Sequence, residues 1–201
     1  MISKRRLSSL LKQAHGNVWS RELAPIYDER GYASISLYRF DPEIAAEIAG
    51  YQPVNWIELI LEKENDLASV QKTIAILLRG WKNYLEYVEI DYVTDVTAAN
   101  DKKLWRALSK CEDTLADLPN LDELVVCNLD FSDDHLEAVC KNSRLTTLDI
   151  RNATITKRAL AIVQRCPSLQ KVMVTNCRHL SPNSQNELLR RLPKAKIARI
   201  E

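Results

Sequence analysis

Glycine is scarce: four residues in a chain of 201. A loop that closes backbone amides around a phosphate needs glycine at its tight points, and neither a P-loop nor a GxGxxG stretch occurs. GxSxG and HExxH are missing too, so the common hydrolase and zinc-protease signatures give no lead. Long apolar runs are also lacking. IAILL, Ile74 to Leu78, is far below the ~20 residues that cross a bilayer, and no transmembrane span is expected. Neither sign of charge dominates, with 28 basic and 27 acidic residues, so a dedicated nucleic-acid surface, which needs an unbalanced basic face, is not expected.

Cysteine gives no framework. Cys111, Cys127, Cys140, Cys166 and Cys177 are odd in number and form no CxxC pair, which suggests neither a disulfide scaffold nor a zinc ribbon. A reducing compartment is the simplest reading, and the triplet Asn152-Ala153-Thr154 is then a chance match to a glycosylation site. A chain of this length buries roughly 70% of its unfolded surface and needs no staples. Acid is missing from the first 21 residues, which hold Lys4, Arg5, Arg6, Lys12 and Arg21, with Leu7, Leu10, Leu11, Ala14 and Val18 at helical spacing. Two readings stay open: a mitochondrial presequence, or an amphipathic helix docked on the domain.

What is present is a repeat. LDELVVCNLDF from Leu121, LTTLDIRNATI from Leu145 and LQKVMVTNCRHL from Leu169 begin at a constant interval (145 − 121 = 24; 169 − 145 = 24). Each has an apolar residue at positions one, four and six and an asparagine at position eight: Asn128, Asn152 and Asn176. Side chains alternate along a strand, so Leu124 and Val126, Leu148 and Ile150, and Val172 and Val174 face one core. Where the strand ends, the asparagine amides have the donors and acceptors to form a structural ladder across the bends. A helix follows each strand, with Ser132, Thr156 and Ser181-Pro182 as candidate starts.

The pattern resembles the leucine-rich repeat family, in its cysteine-containing, ribonuclease-inhibitor-like branch; CPSLQKVMVTNCRHLSPNSQNEL carries the resemblance best. The expected fold is α/β, a short solenoid with parallel concave strands, convex helices and a helical N-terminal cap. Looser copies are WIELIL from Trp56, leading to a helix over 66–79, and LEYVEIDY from Leu85, leading to a helix with Leu104, Trp105 and Leu108. They have Lys63 and Tyr92 where the asparagine is expected. The chain divides into a capping segment over 1–55, with 1–21 as a candidate targeting sequence, and repeats at 56–84, 85–120, 121–144, 145–168 and 169–201. Asp41-Pro42 starts the capping helix after the extended ASISLYRF, and KIARIE supplies a last edge strand.

Two His/Cys pairs, His135 with Cys140 and Cys177 with His179, invite a zinc reading, but the repeat accounts for them as buried small residues and turn residues. No metal, cofactor or catalytic residue is expected, and the chain is read as a non-enzyme. Acidic residues recur on the strands instead: Glu58, Glu89, Asp91, Glu123 and Asp149. Across the open side of the sheet the expected central row is Ile60, Glu89, Val125, Asp149, Met173; beside it run Glu58, Tyr87, Glu123, Thr147, Lys171 and Asp91, Cys127, Arg151, Thr175. A face that mixes apolar, aromatic and charged groups suits a protein partner. The candidate protein-binding residues are Tyr87, Glu89, Asp91, Glu123, Val125, Thr147, Asp149, Arg151, Lys171 and Met173. Asp149→Lys with Met173→Glu is expected to abolish capture without unfolding.

VCNLDFSDDHLEAV, Val126 to Val139, and LQKVMVTNCRHL are similar to the mitochondrial ATP synthase coupling factor B (subunit s) family. That resemblance implies a non-catalytic subunit or assembly factor of a larger complex, on the matrix side of mitochondria, associated with the membrane through its partner. Otherwise the location is cytoplasmic or nuclear. FDPEIAAEIAGY, Phe40 to Tyr51, and LLRGWKNYL, Leu77 to Leu85, resemble parts of an F-box and offer the alternative of a ubiquitin-ligase substrate adaptor. An enzyme regulator is a third alternative.

Overall fold

The computed structural model describes residues 6, 9, 10, 26, 27, 33–38, 40–50, 54–62, 65–93, 106–108, 111–177, 179–181, 183, 184, 186 and 190. Strand and helix alternate along the chain: β1 (Ile26–Tyr27), β2 (Ala33–Leu37), α1 (Pro42–Ile48), β3 (Trp56–Leu61), α2 (Leu67–Gly80), β4 (Tyr87–Tyr92), α3 (Glu112–Ala116), β5 (Glu123–Cys127), α4 (Asp133–Val139), β6 (Thr147–Arg151), α5 (Arg158–Gln164) and β7 (Lys171–Thr175). The seven strands form one sheet in chain order. β2 to β7 are parallel, and β1 pairs antiparallel with β2. Successive strands pack side by side, and so do successive helices.

One core joins the layers. Ile57, Leu59, Val88, Ile90, Leu124, Val126, Leu148, Ile150, Val172 and Val174 point to the helix side and are buried with Ile48, Ile74, Leu77, Leu115, Leu136, Val139 and Val163. Alternation within strands and the three- to four-residue spacing within helices supply matching apolar faces, and their burial drives the stacking. Helix starts are set locally. Asp41 Oδ1 accepts the N–H groups of Glu43 and Ile44 at 2.8 and 3.2 Å, and Asp66 Oδ2 accepts that of Ser69 at 2.9 Å. Ser132 precedes α4, where its N–H donates to His135 Nδ1 at 3.2 Å. At Gly80 a Cβ would lie 2.6 Å from Ala49 Cβ, so the approach of α2 to α1 requires glycine.

Asn128, Asn152 and Asn176 have φ of 59°, 51° and 54°. Asparagine tolerates this left-handed conformation, which turns the chain off the strand. The same residues stitch neighbours together. Asn152 Nδ2 donates to Asn128 Oδ1 at 2.5 Å, and Asn176 Nδ2 donates to Asn152 Oδ1. Their N–H groups continue the sheet, Asn128 to Arg151 O at 2.9 Å and Asn152 to Thr175 O at 3.0 Å. Buried Asp133 accepts the N–H and hydroxyl of Thr156 at 2.9 and 2.6 Å, and buried Asn142 donates to Leu118 O at 2.5 Å.

Several expectations are corrected. Tyr92 does not stand in the asparagine line; it is buried at the end of a longer strand, and Asp91 takes the place by accepting from Asn128 Nδ2 at 2.9 Å. β3 registers Glu58, not Ile60, against Glu89. The reason is that Val54, Ile57 and Leu59 are the inward residues matching Leu85, Val88 and Ile90. Thr156 lies one residue before the cap of α5, Lys157, and its hydroxyl donates to Asp133 while accepting from Arg158 N at 3.2 Å. β2 and α1 repeat the strand-then-helix order of the later segments, and β2 pairs with β3 as the later strands pair. Ser181 Oγ accepts Ser184 N–H at 3.2 Å, as a cap does. Leu104, Trp105 and KIARIE lie outside the described residues, as does most of 1–21. In that segment Leu10 is buried and Arg6 pairs with Glu47 at 2.6 Å.

Candidate functional site

The sheet face away from the core carries three rows set by strand register. The first runs Trp56, Tyr87, Glu123, Thr147, Lys171; the second Ser36, Glu58, Glu89, Val125, Asp149, Met173; the third Ile60, Asp91, Cys127, Arg151, Thr175. All ten residues proposed from the sequence therefore share one face, on four adjacent strands.

At the β3–β4 end the rings of Trp56 and Tyr87 stack with centroids 3.9 Å apart and planes at 26°. Each ring is tied to a carboxylate two residues on, which alternation puts on the same side. Trp56 Nε1 donates to Glu58 Oε1 at 3.2 Å, and Tyr87 Oη to Glu89 Oε2 at 2.6 Å. Ser36 Oγ completes Glu58 at 2.7 Å. Burial, then the Glu89 carboxylate, pushes the Tyr87 phenol well up, so it remains a hydrogen-bond donor. Burial also raises Asp91, against the opposing effects of Asn128 and Arg151, and raises Glu123 against the attraction of Lys171.

Part of this face on β5, β6 and β7 is buried, although its acidic residues are expected on the solvent side of the sheet. Asp149 is 1% exposed, and Val125, Cys127 and Thr175 are also buried. Arg151, on the same side of β6, donates from Nε to both Asp149 oxygens at 3.1 Å and from a terminal nitrogen at 2.5 Å. The pair holds the Arg151 guanidinium above its ordinary range. Strand alternation fixes the side a residue faces but not its depth, and a short carboxylate beneath a long guanidinium is covered. Asp149 thus anchors Arg151 rather than offering itself to a partner. Tyr87, Glu89, Asp91, Glu123, Thr147, Lys171 and Met173 are half-buried, and Arg151 is exposed.

The Cys127 thiol on this face is not poised to react. Burial, followed by the charge of Asp91, pushes the Cys127 thiol up to about 12. Among the described residues no group of three His, Cys, Asp or Glu side chains could hold a metal. A depression of about 180 Å³ lined by Arg79, Lys82, Asp113, Thr114 and Asp117 lies among the helices, away from this face, with Lys82 paired to Asp117 at 2.9 Å.

No protein-family model matches the chain, and no curated protein matches it. The functional reading therefore rests on the geometry. Sequence reasoning missed Trp56 and Ser36 as members of the face. The signal was available: Val54, Ile57 and Leu59 repeat the spacing of Leu85, Val88 and Ile90, which puts Trp56 beside Tyr87.

Proposed function

We propose that the chain is a leucine-rich-repeat solenoid acting as a non-catalytic protein-binding subunit or assembly factor, with the open sheet face as its docking surface. The observation that carries this is the composition of the face: a stacked Trp56–Tyr87 pair, half-buried Met173 and carboxylates, and the Arg151 and Lys171 cations, on parallel strands. Such a mixture, with aromatic, Met and Arg side chains among polar groups, is what protein interfaces favour. The main contacts between elements, which join neighbouring strands and neighbouring helices, the 24-residue spacing and the asparagine line support the repeat assignment.

A mitochondrial complex of the ATP synthase or respiratory kind is proposed on the sequence resemblance alone. The basic N-terminal segment gives it no support, since the burial of Leu10 and the Arg6–Glu47 pair favour a docked helix. β3, lying between the two F-box-like stretches, weighs against the ubiquitin-ligase adaptor. The test is affinity purification from the native cell of the wild-type chain beside Tyr87→Ala/Met173→Glu. One partner recovered in stoichiometric amount by the wild type and lost from a folded variant supports the proposal; equal recovery by both refutes the docking face.

A further inference from the structure

The open face is divided by charge. On β3, β4 and β5 its residues include the carboxylates of Glu58, Glu89, Asp91 and Glu123 and no cation. On β6 and β7 they include the cations Arg151 and Lys171, and the carboxylate there, Asp149, is already held by Arg151 at 2.5 Å. Strand register sets Glu58 directly against Glu89. Like charges in that position repel across the strands, so the free protein carries a cost that a cation from outside would relieve.

The groups that donate to the acidic side are neutral. Trp56 Nε1 and Ser36 Oγ donate to Glu58 at 3.2 and 2.7 Å, the Tyr87 hydroxyl to Glu89 at 2.6 Å, and Asn128 Nδ2 to Asp91 at 2.9 Å. Such donors orient a carboxylate without cancelling its charge. Burial first, then Glu89, Glu123 and Glu58, push the Tyr87 phenol up, so the fields of these carboxylates converge on the ring stack. The Trp56 and Tyr87 rings, with centroids 3.9 Å apart, lie in the row beside Glu58 and Glu89. An aromatic surface next to carboxylates takes both the aliphatic stem and the charge of a lysine or arginine.

From β4 to β7 is a distance of three strand spacings, ~14 Å. Exposed charges are screened over ~8 Å at physiological ionic strength. Glu58 and Glu89 are therefore not neutralised by Lys171, and each end of the face presents its own sign.

We propose that the occupant of this face is a protein segment of divided charge: a lysine or arginine laid over the Trp56–Tyr87 stack beside Glu58 and Glu89, and an aspartate or glutamate ~14 Å away against Lys171. This rests on the docking role proposed above and adds the partner's chemistry and orientation, with its cationic end toward β3 and its acidic end toward β7. A wholly basic segment would be repelled at Lys171, and a wholly acidic one at Glu58 and Glu89.

The test uses the full-length protein and fluorescein-labelled synthetic peptides in one frame, a Gly-Ser linker that spans the distance: lysines at one end and glutamates at the other, lysines at both ends, or glutamates at both ends. Fluorescence anisotropy at low ionic strength is expected to rank the divided peptide first. Glu58→Gln/Glu89→Gln keeps an oxygen for the Trp56, Ser36 and Tyr87 donors and removes the charge, and is expected to weaken the divided peptide on the order of tenfold. Lys171→Glu is expected to weaken it likewise and to make the all-lysine peptide the best ligand. Circular dichroism checks that the variants fold, and should one not fold, the peptide ranking on the wild type decides. No preference of the wild type for the divided peptide, or equal binding of that peptide by a folded variant, overturns the proposal. The docking role is judged apart: a native partner lost from Tyr87→Ala/Met173→Glu but recovered in full by Glu58→Gln/Glu89→Gln and by Lys171→Glu keeps the docking face and rejects the divided charge.

Discussion

Asn152 Nδ2 donates to Asn128 Oδ1 at 2.5 Å while both residues hold left-handed backbone, at φ 51° and 59°. One residue type thus meets two demands at each bend. Replacing Asn152 separates them. Asn152→Gly keeps the backbone freedom and loses the side-chain bonds to Asn128 and Asn176, which is expected to cost about 1–3 kcal/mol. Asn152→Ala loses the bonds and adds the penalty of a Cβ at positive φ, about 1–2 kcal/mol more. Urea unfolding of the two variants beside the wild type measures both terms, and equal stability of Gly and Ala would remove the backbone part of the explanation.

Asp91 ends the amide line with a carboxylate that burial holds above its usual range. Its charged form is therefore disfavoured in the folded state, which binds the proton more readily than the unfolded chain. Stability from this group rises as pH falls through the raised folded pKa and is lost as pH increases from the unfolded pKa through the folded one. Asp91→Asn keeps an oxygen for Asn128 and removes the charge. Its Tm is expected above that of the wild type at pH 7, with the difference shrinking on acidification; a constant difference would place its origin elsewhere.

Arg151→Ala strips the partner from a carboxylate that is 1% exposed. Leaving a buried charge unpaired costs about 3–5 kcal/mol. Asp149→Lys, which the sequence alone recommends as an interface probe, faces the same difficulty, because it sets a buried cation beside Arg151. Thermal unfolding of Arg151→Ala and Asp149→Lys is expected to show both well below Met173→Glu, whose site is half-buried. Wild-type stability in Arg151→Ala would mean that the pair contributes little.

Gly80→Ala brings two Cβ atoms to 2.6 Å, closer than carbon atoms pack. The overpacking is expected to cost about 1–3 kcal/mol. Adding Ala49→Gly removes the clash, so the double variant should recover most of the loss apart from the propensity cost of glycine at the helix end. A double-mutant cycle by chemical denaturation gives the coupling, and additive effects would show that the contact is relieved by other movements.

The inward pattern was legible because burial imposes it directly: Leu124, Val126, Leu148, Ile150, Val172 and Val174 are all buried as their spacing demands. The asparagines were legible as a line, though not as left-handed residues, since hydrogen-bonding capacity alone suggested the role. β3 was set two residues out of register because WIELIL has apolar residues at Trp56 and Ile60, on its outer side, as well as within. The burial of Asp149 follows from a pairing with Arg151, two residues on along the strand, that only rotamers reveal.

The proposed docking role is tested most directly by photo-crosslinking in the native cell, with benzoylphenylalanine placed in turn at Glu89 and Met173 on the open face and at Arg158 on the helix side. The account predicts one protein adduct from Glu89 and Met173, absent from Arg158, and lost when Tyr87→Ala is added to a chain that stays folded by circular dichroism. Adducts from Arg158 alone, or open-face adducts indifferent to Tyr87, would contradict it.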